Sequence, residues 1–181
     1  MELGNIIETC TTNVGGTGTE VLYAPVSFFD ELALATPEST ATTADQIVSI
    51  TAAHTFIAGK GFRSIEVLLD TGAVESNSVG DIGGKSFEHM CKGFVPNNSP
   101  LNAGILSKLA SCKWIFLVPE VNAGVTVYRQ IGSKQRAAYC EDNSYKSGEA
   151  SSDRRGTSIA FKSSGHSTHA PFYTGTITMH P

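Results

Sequence analysis

Lys85-Ser86-Phe87-Glu88-His89-Met90-Cys91-Lys92-Gly93-Phe94-Val95 decides the fold. Phe87, His89, Cys91 and Gly93 fall on one face of an extended chain, and Glu88, Met90 and Lys92 on the other. A period of two is the mark of a strand with one buried face. Moving outward, Arg63 to Leu69 (RSIEVLL) alternates and then turns wholly apolar, and Val125 to Ile131 alternates again. Trp114-Ile115-Phe116-Leu117-Val118 is apolar without a break, which suits a strand buried on both faces. Gln46 to Ile50, Lys134 to Glu141, Thr157 to Lys162 and Phe172 to Met179 complete the set. Gly, Asn, Asp or Pro separates most of these runs. The expected fold is mainly β: an antiparallel β-sandwich or partly closed barrel of about eight strands.

One helix interrupts the strands, at about 99–111. Ser99 can cap it and Pro100 can open it. Leu101, Ile105, Leu106 and Leu109 then form one apolar stripe, so the helix is expected to pack on the sheet. Gly104 weakens it by about 1 kcal/mol relative to Ala and is expected to let a strand approach. Residues 1–45 read differently, being rich in Thr, Gly and Ala around one apolar island, Val21 to Phe29. They are expected to form an extended N-terminal arm with one or two strands, leaving 46–181 as the sandwich or barrel domain. Thr71 to Gly84 and Asp142 to Gly156 read as loops longer than the usual four to six residues, the kind that carry binding surfaces.

The 181 residues are 40% hydrophobic and 17% charged, with a net charge of −4. This suits one globular domain and lacks the basic footprint of a nucleic-acid binder. Cys10, Cys91, Cys112 and Cys140 are widely spaced, so neither zinc nor a disulfide framework is expected, and the thiols are read as reduced and mostly buried. The N-terminus lacks the pattern of a secretory signal, and no apolar run approaches the ~20 residues that cross a bilayer as a helix.

Few residues point to catalysis. Asp70-Thr71-Gly72-Ala73 after two leucines, with Ile82-Gly83-Gly84 beyond, resembles the motif of retroviral-type aspartic peptidases. Such an enzyme needs two carboxylates sharing a proton. With one Asp-Thr-Gly in the chain, only a homodimer could supply both. Val74 and Glu75 depart from that family's pattern, as does the strand-like stretch after Gln130-Ile131-Gly132-Ser133. Asp70 equally reads as a strand end leading into a turn. His166-Ser167-Thr168-His169 has a spacing that can hold a metal, but it lies in a loop without neighbouring acidic or cysteine residues. Gly15-Gly16-Thr17-Gly18 lacks the Lys-Ser/Thr of a phosphate loop, and no Gly-x-Ser-x-Gly occurs. No enzyme activity and no cofactor are expected.

The region from 46 to 178 resembles the tail tube (major tail) proteins of tailed bacteriophages, especially forms seen in phages of Bacteroidetes. The resemblance lies in His54 to Phe62 (HTFIAGKGF) before the strand toward Asp70. It continues in Gly84 to His89, Phe94-Val95-Pro96, the helix and Trp114 to Val118. Tyr128 to Ser133, Asp153 to Thr157 and Ala170 to Ile177 close it. It implies a structural virion protein located in the tail and made in the host cytoplasm. Its subunits would form stacked, six-membered rings that conduct DNA without binding it specifically. Its partners would be copies of itself and other tail proteins (tape measure, terminator, baseplate or tip), with no membrane. A tail terminator, which forms one ring and stops, is the related alternative. Under this reading Glu75, Asn77 and Asp81 in the first loop, and Tyr145, Lys146, Asp153, Arg154 and Arg155 in the second, are candidates for contacts between subunits or rings. Glu66, Glu75, Asp81 and Glu88 are candidates for the lumen or its rim.

Overall fold

The computed structural model describes Ile6 and residues 15–96, 99–122, 125–150 and 152–181. Over these residues it is mainly β, with two principal sheets, one α-helix and no closed barrel. The strands are β1 (Glu20–Pro25), β2 (Phe29–Glu31), β3 (Ser49–Ile50), β4 (Thr55–Phe56), β5 (Arg63–Glu66) and β6 (Ala73–Val79). They continue with β7 (Ser86–Pro96), β8 (Trp114–Asn122), β9 (Val125–Ile131), β10 (Tyr139–Lys146), β11 (Gly156–His166) and β12 (Phe172–Tyr173). The helix α1 (Pro100–Leu109) lies between β7 and β8.

The larger sheet has the order β3-β12-β9-β8-β1-β5, and the smaller β10-β11-β7-β6. They pack face to face. Tyr23, Phe116, Val118 and Ile131 of the larger sheet meet Cys91, Val95, Ile159 and Phe161 of the smaller. The Phe116 and Phe161 rings lie 4.4 Å apart at the centre. The opposite face of the larger sheet carries Leu22, Ala24, Ile50, Ile115 and Leu117, and these are buried too, under Leu32, Phe62 and the Phe29–Phe56 pair of the small β2–β4 sheet. The unbroken apolar run of β8 follows directly. Trp114, Phe116 and Val118 fill one core while Ile115 and Leu117 fill the other.

The helix begins as expected: the Ser99 side chain accepts a hydrogen bond from the Asn102 amide, and Pro100 opens the first turn. Its apolar stripe is divided. Leu106 and Leu109 are buried, whereas Leu101 and Ile105 face solvent. Gly104 approaches no strand, since a Cβ there would meet nothing within 4 Å.

Several boundaries differ from expectation. β1 is not part of an outlying arm but pairs with β8 on one side and β5 on the other. Its residues obey the rule that β8 obeys, with Val21 and Tyr23 entering one core and Leu22 and Ala24 the other. Met1 to Asn5 and residues 7–14 of the expected arm lie outside the described residues.

Half of the supposed loop from Thr71 to Gly84 is β6 (Ala73–Val79). The inward position Ser76 bonds the Ala170 amide, so this strand lacks the apolar alternation that marks the others. The supposed loop from Asp142 to Gly156 begins as the second half of β10. There inward Asn143 donates to the Leu106 carbonyl, again with a polar side chain where the period calls for an apolar one. Conversely, the strand expected from Lys134 starts only at Tyr139, because Ser133 and Arg136 close a turn. The one expected from Phe172 to Met179 shrinks to Phe172–Tyr173. Arg63 to Leu69 pairs only as far as Glu66, and Gln46–Val48 is a 3-10 turn before β3.

Candidate assembly surfaces

The smaller sheet differs from the larger in having one bare face. Along β7, His89, Cys91 and Val95 are buried, while Glu88, Met90 and Lys92 point away from the core. On β11, Ile159, Phe161 and Ser163 point in, and Ala160, Lys162 and Ser164 out. The outward charges pair across strands. Lys92 bonds Glu75 of β6, and Lys162 lies 3.0 Å from Glu88 and 3.9 Å from Glu141 of β10. Ser164 adds a 3.0 Å hydrogen bond to Glu88. The Lys162 ammonium holds the Glu88 carboxyl below the usual carboxylate range, and Glu88 in turn pushes Lys162 up. The face is thus polar and close to charge balance.

The edges of this sheet are β6, of seven residues, and β10, of eight, and neither has an outer neighbour among the described residues. Each offers a row of free backbone donors and acceptors. The larger sheet ends instead in β3 and β5, of two and four residues.

The candidate residues fall at three places. Glu75 and Asn77 lie on edge β6, and Tyr145 and Lys146 on edge β10, so these four sit on strand edges and not in loops. Asp81 lies in the exposed β6–β7 turn. Asp153 accepts from the Glu149 and Ala150 amides at 2.9 Å each and so ties together the β10–β11 loop, which also exposes Arg154 and Arg155. Those two amides lower the Asp153 pKa. Of the lumen candidates, Glu75 and Glu88 share the outward face. Glu66 belongs to the other sheet, at the end of β5.

Asp70 is exposed and is the one described non-glycine residue with positive φ, 61°. It does not end a strand. It occupies a turn four residues beyond β5, anchored by Thr71, whose hydroxyl donates to the Leu68 carbonyl and accepts from the Phe94 amide.

The two histidines of His166-x-x-His169 point to different partners. His166 stacks on His89 at 4.1 Å and bonds the Ser163 hydroxyl, which itself donates to the Arg136 carbonyl. His169 stacks on Phe87 at 4.4 Å and bonds Ser76. No group of three or more His, Cys, Asp or Glu side chains that could hold a metal occurs among the described residues. Burial lowers the pKa of His89, and that of His166 to about 4. His54 lies just before β4. It is buried between Phe29, Phe62 and Tyr173, bonds Gln130 at 2.9 Å, and has its pKa lowered by burial to about 4. Of the three described thiols, Cys91 is buried, Cys140 half-buried and Cys112 exposed, and Cys10 lies outside the described residues.

Sequence reading missed an apolar groove beside α1. It has a volume of about 400 Å³, with Leu101 and Ile105 on its wall and Trp114 on its floor. The signal for it was available: the helix carries more apolar positions than one packing face can bury. Comparison with protein-family models, curated proteins and solved structures finds no match to this chain.

Proposed function

We propose that this chain is a structural subunit that closes into rings through its smaller sheet, and that the rings stack into the tail tube of a bacteriophage. The observation that carries this reading is the form of that sheet: two long unpaired edges flanking a bare, polar, ion-paired face. Lone edges of this length invite uncontrolled pairing, and joining β6 of one copy to β10 of the next removes both at once. Repetition around an axis then produces a continuous barrel with the ion-paired faces toward one side. Lining a lumen, such a face neither binds nor strongly repels a passing polyanion, because its carboxylates and ammonium groups offset each other. The resemblance of residues 46–178 to tail tube proteins supplies the ring size of six and the cargo, DNA.

Negative-stain electron microscopy across a concentration series tests the proposal. Hollow tubes or six-fold rings are expected. A ring that forms but never stacks would favour a terminator. Compact dimers, with a peptidase activity abolished by Asp70→Asn, would overturn the structural reading.

A further inference from the structure

The β6–β7 turn and the α1 groove are unlike surfaces: the turn leads into β7, and the groove lies between the helix that follows β7 and the ends of β1, β5 and β8. The turn, Asp81 to Gly84, is closed by a hydrogen bond from the Gly84 amide to the Asp81 carbonyl, with Gly83 at φ 88°. That leaves Ile82 at its crown, 101% exposed. Among the described residues no packing calls for an isoleucine there, and turn corners favour proline or polar residues. From this turn β7 runs eleven residues, about 35 Å, to the end that leads into α1. There the groove is floored by Tyr23 and Trp114, walled by Leu101 and Ile105, and rimmed by Arg63 and Lys108. Leu101 is 71% exposed. Gly104 also lines the groove and meets no neighbour, so it keeps the groove open at a cost to the helix.

We infer that the crown of the β6–β7 turn, with Ile82 as the knob, docks in the α1 groove of a second copy of this chain and so forms the contact between successive rings. This inference rests on the tube reading and names the stacking site within it. Three features commit the groove to that occupant. Apolar side chains match on the two surfaces. The charges are complementary: Asp81 flanks the knob, and Lys108 and Arg63 rim the groove. Lys85, on the other side of the turn, finds its counterpart in Glu66, which borders the adjoining cavity that shares Tyr23 and Ile105. Finally, the knob immediately precedes β7 and the helix that walls the groove follows it, so a displacement roughly along β7 brings the two surfaces of successive copies together. A contact between two different patches of identical subunits does not close on itself, which is what an extending stack requires.

The test compares wild type, Ile82→Glu, Asp81→Lys, Lys108→Glu and the Asp81→Lys/Lys108→Glu pair by electron microscopy and sedimentation. Ile82 and Asp81 are exposed turn residues, so their variants keep the fold; circular dichroism and a thermal melt check this for all four. Ile82→Glu is expected to form rings while raising the tube-forming concentration at least tenfold. Each single charge reversal should raise it several-fold, and the pair should return it to within about twofold of wild type by restoring opposite charges. Tubes of Ile82→Glu at the wild-type concentration would overturn the inference and leave the tube reading intact, as would a reversed pair no better than its single members. Wild-type protein that forms neither rings nor tubes at any concentration would overturn both.

Discussion

The two sheets are built from similar strands but face different surroundings. The larger is covered on both faces, by the smaller sheet on one side and by the chain from Val26 to Phe62 on the other. The smaller is covered on one face only. In the larger, consecutive residues of β1 and β8 enter different cores, so these strands are apolar without interruption. In the smaller, every second residue meets water, and β7 alternates. The exposure of edges follows the same division. The covered sheet ends in very short strands, whereas the half-covered one ends in two long ones. One sheet therefore holds the subunit together, and the other is left able to join it to a neighbour.

The largest expected effect breaks this comparison if it fails. Phe116 is 1% exposed and touches Phe161 across the main core. Phe116→Ala should cost about 3–5 kcal/mol, from lost burial and the cavity left behind. Met90→Ala, on the bare face of β7, should cost far less. Urea unfolding of both variants measures the contrast, and equal losses would mean that the two sheets are equally committed to the fold.

The next effect is a pH dependence centred on the layer that covers the larger sheet. His54 has its pKa pushed from 6.5 to about 4 by burial. Because the folded value lies below the unfolded one, the unfolded chain binds the extra proton first. Stability is therefore full above about pH 6.5 and is lost as the pH falls toward 4. A shift of that size corresponds to about 3 kcal/mol. His166, also lowered to about 4, acts in the same direction. Urea midpoints recorded from pH 7 to pH 4 should fall steadily, and His54→Asn should flatten the slope. An unchanged slope in that variant would show that His54 does not contribute.

How much of this was legible in the sequence follows from the same division. β7 and β8 were readable because one alternates and the other opens with an unbroken apolar run, and the helix because Ser99 and Pro100 mark its start. β1 was equally readable in principle: Val21-Leu22-Tyr23-Ala24 is an unbroken apolar run like that of β8, but its Gly- and Thr-rich surroundings suggested an arm. β6 and the second half of β10 were hidden for a physical reason. Their inward positions include Ser76 and Asn143, which bond backbone groups, so no apolar alternation marks them. The residues expected in long loops, Glu75, Asn77, Tyr145 and Lys146, accordingly lie on edge strands. The surplus of apolar positions on the helix signalled a groove, but which of them the sheets leave uncovered is a tertiary property, and the exposure of Ile82 follows from the β6–β7 turn, which became visible only with β6.

A smaller effect concerns the helix at the end of both sheets. Gly104→Ala should stabilise the subunit by up to about 1 kcal/mol, because helix propensity improves and the new methyl meets nothing. A thermal melt would register a rise of a few degrees. A fall would mean that Gly104 does serve the fold, and the open groove would need another explanation.

The smallest effect sharpens the comparison most. Glu75 and Lys92 pair on the bare face with side chains 38% and 48% exposed. A double-mutant cycle with Glu75→Gln and Lys92→Gln should give a coupling of no more than about 0.5 kcal/mol, declining further with added salt. A coupling several times larger would place the pair out of solvent and remove the distinction between the faces. If the coupling is as small as expected, stability cannot explain why this face carries opposite charges in register across its strands. What the arrangement does achieve is a surface without a strong field of either sign. Under the proposed tube reading, Glu75→Lys should leave the unfolding midpoint nearly unchanged while making assembled tubes retain DNA at low salt. Loss of that retention as salt rises would identify its origin as electrostatic.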